Sequence, residues 1–203
     1  MWDERYSEPG FLFGTAPAQF LAEQAEYLQR GLTALAVADG EGRNSVYMAE
    51  RGMRVTAMDA SEVGLAKAKG LAAARSAPVN FVQADLRTWD WQPEAFDLVA
   101  AIFIQFADPG FRAEIFAGMT RTLKPGGILL LHGYTPEQVA FGTGGPPNPD
   151  YMYTTDMLTE AFGDMDILRL AAYEREVDEG RGHKGRSALI DLVARKRPDA
   201  KAV

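Results

Sequence analysis

The chain has 203 residues, with 28 acidic against 21 basic side chains and a net charge of −7, and it has no long basic block. Binding along a nucleic-acid backbone needs clustered Lys and Arg and is therefore disfavoured. The absence of cysteine excludes disulfides, thiolate zinc sites and cysteine nucleophiles, and no metal is expected.

The length suits one domain over 1–203 with a real core. Charged residues run through the first thirty positions, unlike a signal peptide. The apolar run "LVAAIFIQFA" is well short of the ~18 residues a bilayer span needs. A cytoplasmic protein with no membrane partner is expected. After an aromatic-rich start, "WDERYSEPGFLFG", Thr15 and Pro17 open a predicted helix to about Arg30, with Phe20, Leu21, Ala25 and Leu28 at helical spacing. "TALAVA" is a short strand. A helix over Asn44 to Arg51 is closed by Gly52 and followed by the strand "RVTAMD". Ser61 caps an Ala-rich helix through Arg75, "VNFVQAD" is a third strand, and "FDLVAAIF" is a fourth, apolar throughout as strands buried on both faces are.

Asp108 and Pro109 start the next helix in the favoured order of cap and first-turn proline. Phe111, Ile115, Phe116, Met119 and Leu123 form its buried stripe. "KPGG" breaks it, and "ILLLHGY" is the fifth strand. A short helix near Thr155–Phe162 leads to two strand-like runs, "DILRLAAYE" and "SALIDLVARK", with no helix between them, which implies an antiparallel pair. The alternation before that ending predicts an α/β, doubly wound, mostly parallel sheet with helices on both faces.

Ligands of open α/β sheets bind outside the carboxyl ends of the strands. The turn Ala38-Asp39-Gly40-Glu41-Gly42 lies there, where glycines allow close backbone approach and the next helix aims N–H groups at a ligand. Asp59 ends the second strand, 19 residues after Gly40, where a carboxylate can accept ribose hydroxyls. A dinucleotide fingerprint would need a third glycine at Ser45, and Asp39 and Glu41 would sit beside a pyrophosphate. A methionine-type cofactor carries a sulfonium and an ammonium, which suit those acids. Asp85, in "QAD", can take a hydrogen bond from an adenine amino group.

The motifs "ADGEGRNSVYMAERG", "VTAMDAS", "VQADL", "FDLVAAIF" and "LKPGGILLL" resemble class I S-adenosylmethionine-dependent methyltransferases across nearly the whole chain. "WDERY", "FGTAP", "GEGRN" and "EGRGHKG" resemble most the small tellurite-resistance and thiopurine methyltransferase-like branch. The resemblance implies a seven-stranded Rossmann-like methyltransferase sheet with an antiparallel C-terminal hairpin. It implies S-adenosyl-L-methionine as cofactor, held by candidates Ala38, Asp39, Gly40, Gly42, Asn44, Asp59, Ala60, Asp85, Leu86, Ile102 and Phe103. The family usually has an acid late in the first strand, where this chain has Ala36, and Asp39 is the candidate replacement.

"GRGHKG", Gly180 to Gly185, spells a dinucleotide motif but precedes a strand instead of opening a helix, so it reads as a hairpin connection. His183 within it is either a solvent-exposed loop residue or a contact to the acceptor, and His132 reads as a core or supporting residue. Residues 1–14 are a candidate lid and 135–153 a candidate pocket loop. With the last hairpin they supply the substrate candidates Trp2, Tyr6, Phe13, Gln105, Tyr134, Tyr153 and His183 for a small-molecule acceptor. No catalytic base stands out, so a soft anionic nucleophile of thiol, selenite or tellurite type is the expected acceptor. The alternatives are a nicotinamide-dependent reductase and a non-catalytic S-adenosylmethionine-binding protein.

Overall fold

The computed structural model describes residues 2–198. Seven strands form one sheet: β1 (Thr33–Val37), β2 (Arg54–Asp59), β3 (Val79–Gln83), β4 (Phe96–Ile102), β5 (Leu123–Tyr134), β6 (Asp166–Asp178) and β7 (Lys184–Arg195). Their order is β3-β2-β1-β4-β5-β7-β6. The first five are parallel, and β7 inserts antiparallel between β5 and β6. The expected seven-stranded methyltransferase-like sheet with its C-terminal hairpin is the one observed. The strand order reverses between β1 and β4, which puts the ends of both beside a single crevice.

The helices are α1 (Trp2–Tyr6), α2 (Gln19–Glu23), α3 (Arg43–Glu50), α4 (Glu62–Ala74), α5 (Pro109–Thr122) and α6 (Thr155–Ala161). Alternation along the central strands divides the core between the two faces of the sheet. Leu35, Val37, Val99, Leu129 and Leu131 pack with Phe111, Ile115, Phe116 and Met119 of α5. Ala34, Ala36, Leu98, Ala100 and Leu130 pack with Phe20 of α2 and Val46 and Met48 of α3. Both sequence-read caps form: Ser61 Oγ accepts the Gly64 N–H and Asp108 the Phe111 N–H.

Two expectations are corrected. The helix read from Thr15 to Arg30 is only α2 followed by a tight turn over Ala25–Tyr27. The chain is still extended at Ala18, whose N–H is taken by Asn44 Oδ1, so the helix starts late. "KPGG" does not separate α5 from the fifth strand, because β5 runs through it. There Gly126 and Lys196 donate respectively to Lys196 and Gly127, and the register against β4 shifts. Among the described residues no helix is long and apolar enough to cross a membrane.

Candidate functional site

The site begins where β1 and β4 end. Ala38 and Phe103, the residues that leave these strands, both take left-handed φ values, 48° and 57°. Such values are costly for side chains larger than glycine and cluster at functional sites. The turn after Ala38 is tied to β2 by Asp59, whose two oxygens accept N–H bonds from Gly40 and Ser61, both at 2.8 Å. Burial raises the Asp59 carboxyl and those N–H groups oppose the rise. Asp59 therefore has a structural duty in addition to the expected ribose contact.

Asp39 turns toward the start of α3, where Ser45 donates both its N–H and its hydroxyl to the carboxylate. Its enclosure pushes it up to about 7 against those bonds. Asp85 is exposed, and its Oδ1 takes the Arg87 N–H in the turn after β3. Leu86 and Ile102 are buried nearby in sequence to these rims, and the Ala60 carbonyl accepts from Gln83.

A cover of three segments lies over this rim. The N-terminal segment carries Tyr6 onto the turn, so that its hydroxyl would lie 2.5 Å from a Cβ placed at Gly40. Trp2 stacks on Tyr6, and Asp3 accepts the Ser61 hydroxyl. Buried Glu41 accepts the Leu12 N–H and pairs at 2.9 Å with Lys67, which also donates to the carbonyls of Glu8 and Gly10. Arg43 donates to the Phe13 carbonyl and lies 2.8 Å from Glu179 at the tip of the β6–β7 hairpin. Glu179 Oε1 takes the N–H that opens α2, from Gln19.

The hairpin tip is the second segment. Gly182 donates to the Leu12 carbonyl, and a Cβ at Gly182 would lie 2.3 Å from the Phe13 ring, so only glycine permits this approach. His183 is 6% exposed, which overturns the loop-residue reading: it is enclosed by Phe13, Phe103 and Tyr134, at ring-centroid distances of 4.3, 4.0 and 5.7 Å. Burial holds His183 well below the usual histidine range, helped by the positive groups of Arg43, His132 and Arg5. Burial and the charge of Glu179 likewise raise the Tyr134 phenol. In the third segment, after β5, Gln138 spans from Gly144 to the Ala188 N–H, and Thr143 donates to the Arg186 carbonyl.

Of two further substrate candidates, one falls on the opposite face and the other is taken up by the backbone beside Tyr134. Tyr153 is 1% exposed and packs on Phe116 beneath α5, because the chain after the pocket loop dives into the opposite core. Gln105 uses both ends of its carboxamide on the Tyr134 backbone, holding the end of β5 in place. His132 is a buried supporting residue, as read: Nδ1 lies 2.8 Å from Asp191, while its ring stacks on Phe20 and meets Phe103 edge-on. Burial works against Asp191, but His132, Arg169 and Tyr173 hold it below the usual carboxylate range. Sequence reading missed Glu41, Arg43 and Glu179 as joints of the cover. The one available signal was charge in "GEGRN" at a position that the fold must bury.

Residues 34–127 match the family described as a methyltransferase domain. No curated protein matches the chain. A solved structure concerned with conversion of a disulfide bond into a thioacetal group during echinomycin biosynthesis has a TM-score of 0.77 and 18% identity, over 99% of this chain and 92% of that one. TehB from Haemophilus influenzae has a TM-score of 0.71 and 18% identity, over 97% of this chain and 66% of that one. A SAM-dependent methyltransferase from Methanosarcina mazei has a TM-score of 0.70 and 19% identity, over 87% and 98%. The residues present fit such a cofactor in two respects, a glycine turn and a carboxylate at the rim of β2, while Asp39 and Glu41 are engaged by Ser45 and by Lys67 with Leu12. Residues 34–127 are thus similar to a methyltransferase domain, and the whole chain shares its fold with these solved structures.

Proposed function

We propose that this chain is an S-adenosylmethionine-dependent methyltransferase and that it acts on a small molecule with a soft nucleophilic atom, of thiol, selenite or tellurite type. Bound S-adenosylmethionine supplies a methyl group made electrophilic by the sulfonium charge. The residues that would hold it are Ala38, Asp39, Gly40, Gly42 and Asn44 along the turn, Asp59 and Ala60 at the ribose, Asp85 and Leu86 beside the adenine, and Ile102 and Phe103 by the methionine.

One observation carries the acceptor class. The turn is roofed by an aromatic group of Tyr6, Phe13, Tyr134 and His183, and three of these are at most 6% exposed. A roof of that kind admits a small acceptor, excludes water and holds the reacting groups in near-attack geometry. His183, kept neutral by its burial, is a poor base for a hard hydroxyl or an ammonium. A nucleophile already anionic, or easily made so, does not need a stronger one.

The test is formation of S-adenosylhomocysteine from S-adenosylmethionine with a panel of thiols, selenite, tellurite, phenols and amines. The highest turnover is expected on the soft nucleophiles; a preference for phenols or amines overturns the acceptor class.

A further inference from the structure

Among the described residues, four buried side-chain polar atoms have no hydrogen-bond partner: Trp89 Nε1, Tyr134 Oη, Glu179 Oε2 and His183 Nδ1. Three of them meet at one place, where the end of β5, the hairpin tip and the lid come together. Glu179 Oε2 has at least the charge of Arg43 beside it at 2.8 Å, though not an aligned N–H. Tyr134 and His183 have nothing. A buried polar atom left unpaired is costly, so two on rings that touch each other signal a partner the fold does not itself provide.

The surroundings define that partner. Phe13, Phe103, Tyr134 and His183 present aromatic surface on several sides, a setting that favours a polarizable sulfur over a strongly hydrated oxygen. The Tyr134 phenol keeps its proton and can donate it in a hydrogen bond, while a neutral imidazole has a free lone pair at one ring nitrogen.

Resting on the methyltransferase reading above, we infer that Tyr134 and His183 are the acceptor-contacting pair, for a small acceptor whose nucleophilic atom is a thiol sulfur. The Tyr134 hydroxyl donates to that sulfur and His183 Nδ1 takes its proton. The sulfur forms its bond to the methyl carbon as the bond from that carbon to the sulfonium breaks, leaving a neutral thioether, S-adenosylhomocysteine and a protonated His183 that releases its proton when the cover opens.

Thiophenol and phenol, which differ in one atom, test this with the intact protein, Tyr134→Phe, His183→Ala and His183→Asn. Binding of S-adenosylhomocysteine and thermal melting are measured alongside. Assayed at a pH low enough that thiophenol keeps its proton, thiophenol should be methylated roughly 100-fold faster than phenol, and His183→Ala should lower its kcat/KM by roughly 100-fold. His183→Asn, which accepts a hydrogen bond but cannot take the proton, should not recover that loss. Tyr134→Phe should cost about tenfold, the equivalent of one hydrogen bond. Both single losses should leave S-adenosylhomocysteine affinity unchanged, and Tyr134→Phe should melt no lower than the intact protein, because it removes an unpaired buried hydroxyl. Wild-type thiophenol turnover in the variants, or a parallel loss of S-adenosylhomocysteine affinity, overturns the inference. So does S-adenosylhomocysteine binding with no thiophenol methylation, or with selenite or tellurite as the only substrates. Failure to bind S-adenosylhomocysteine at all overturns the reading on which it rests.

Discussion

The sheet and its cover are built by opposite rules. At the centre of the sheet, Leu35, Leu129, Leu130 and Leu131 are fully buried, and the stability of that region comes from apolar area removed from water. The cover is a seam of charged and aromatic side chains: Glu41 on Leu12 and Lys67, Arg43 on Phe13 and Glu179, and His183 among three rings. It also holds three of the four unpaired buried polar atoms among the described residues. Unpaired buried polar groups cost stability, so the cover is the less optimised of the two regions. Changes in the sheet should therefore act on stability, and changes in the cover on turnover.

The largest effect should come from the sheet. Leu129→Ala should cost about 2–5 kcal/mol in a urea unfolding experiment, the usual range for opening a cavity in a tight core, while the folded fraction binds S-adenosylhomocysteine normally. Deleting residues 2–14 should do the reverse. All seven strands lie beyond the deletion, so a folded core should remain. Turnover should fall by ~100-fold as acceptor positioning and water exclusion are lost. Undiminished turnover would make the lid mere packing and break the comparison.

Asp39 sharpens the boundary between the two regions. An unfolded aspartate titrates near ~3.9, whereas the enclosed native group is pushed up to about 7. Between those values the native state keeps a proton that the unfolded state has released. The stabilising contribution is full below pH ~4 and is lost as pH rises through about 7. Asp39→Asn should flatten that decline when unfolding is compared at pH 4.5 and 7.5. The smallest effect is expected at Ala38, whose φ of 48° glycine adopts freely. Ala38→Gly should gain about 1 kcal/mol or less, part of the relief being offset by glycine's greater freedom when unfolded.

The same division explains how much was legible in the sequence. The sheet follows from local patterns: "FDLVAAIF" reads as a doubly buried strand, and Ser61 and Asp108 cap as their positions suggest. Gly40, Gly42 and Asp59 were marked by their spacing alone. The cover depends on contacts across the whole chain. Arg43 meets Glu179, and Gln138 meets Ala188, so neither pairing leaves a local signal. Tyr153 and His183 illustrate the limit in opposite directions. Both lie in irregular segments, yet one goes beneath α5 and the other into the aromatic group over the turn. The N-terminal segment follows the same logic: its aromatics are visible in the sequence, but the Glu41 and Lys67 clasp that seats it is not.

The central claim is that the turn after β1 and the rim of β2 hold an S-adenosylmethionine-type cofactor, not a dinucleotide. Calorimetric titration of the intact protein with S-adenosylhomocysteine and, separately, with NADPH tests it most directly. The account predicts saturable binding of S-adenosylhomocysteine and no heat of binding from NADPH. Saturable NADPH binding with none for S-adenosylhomocysteine would contradict it.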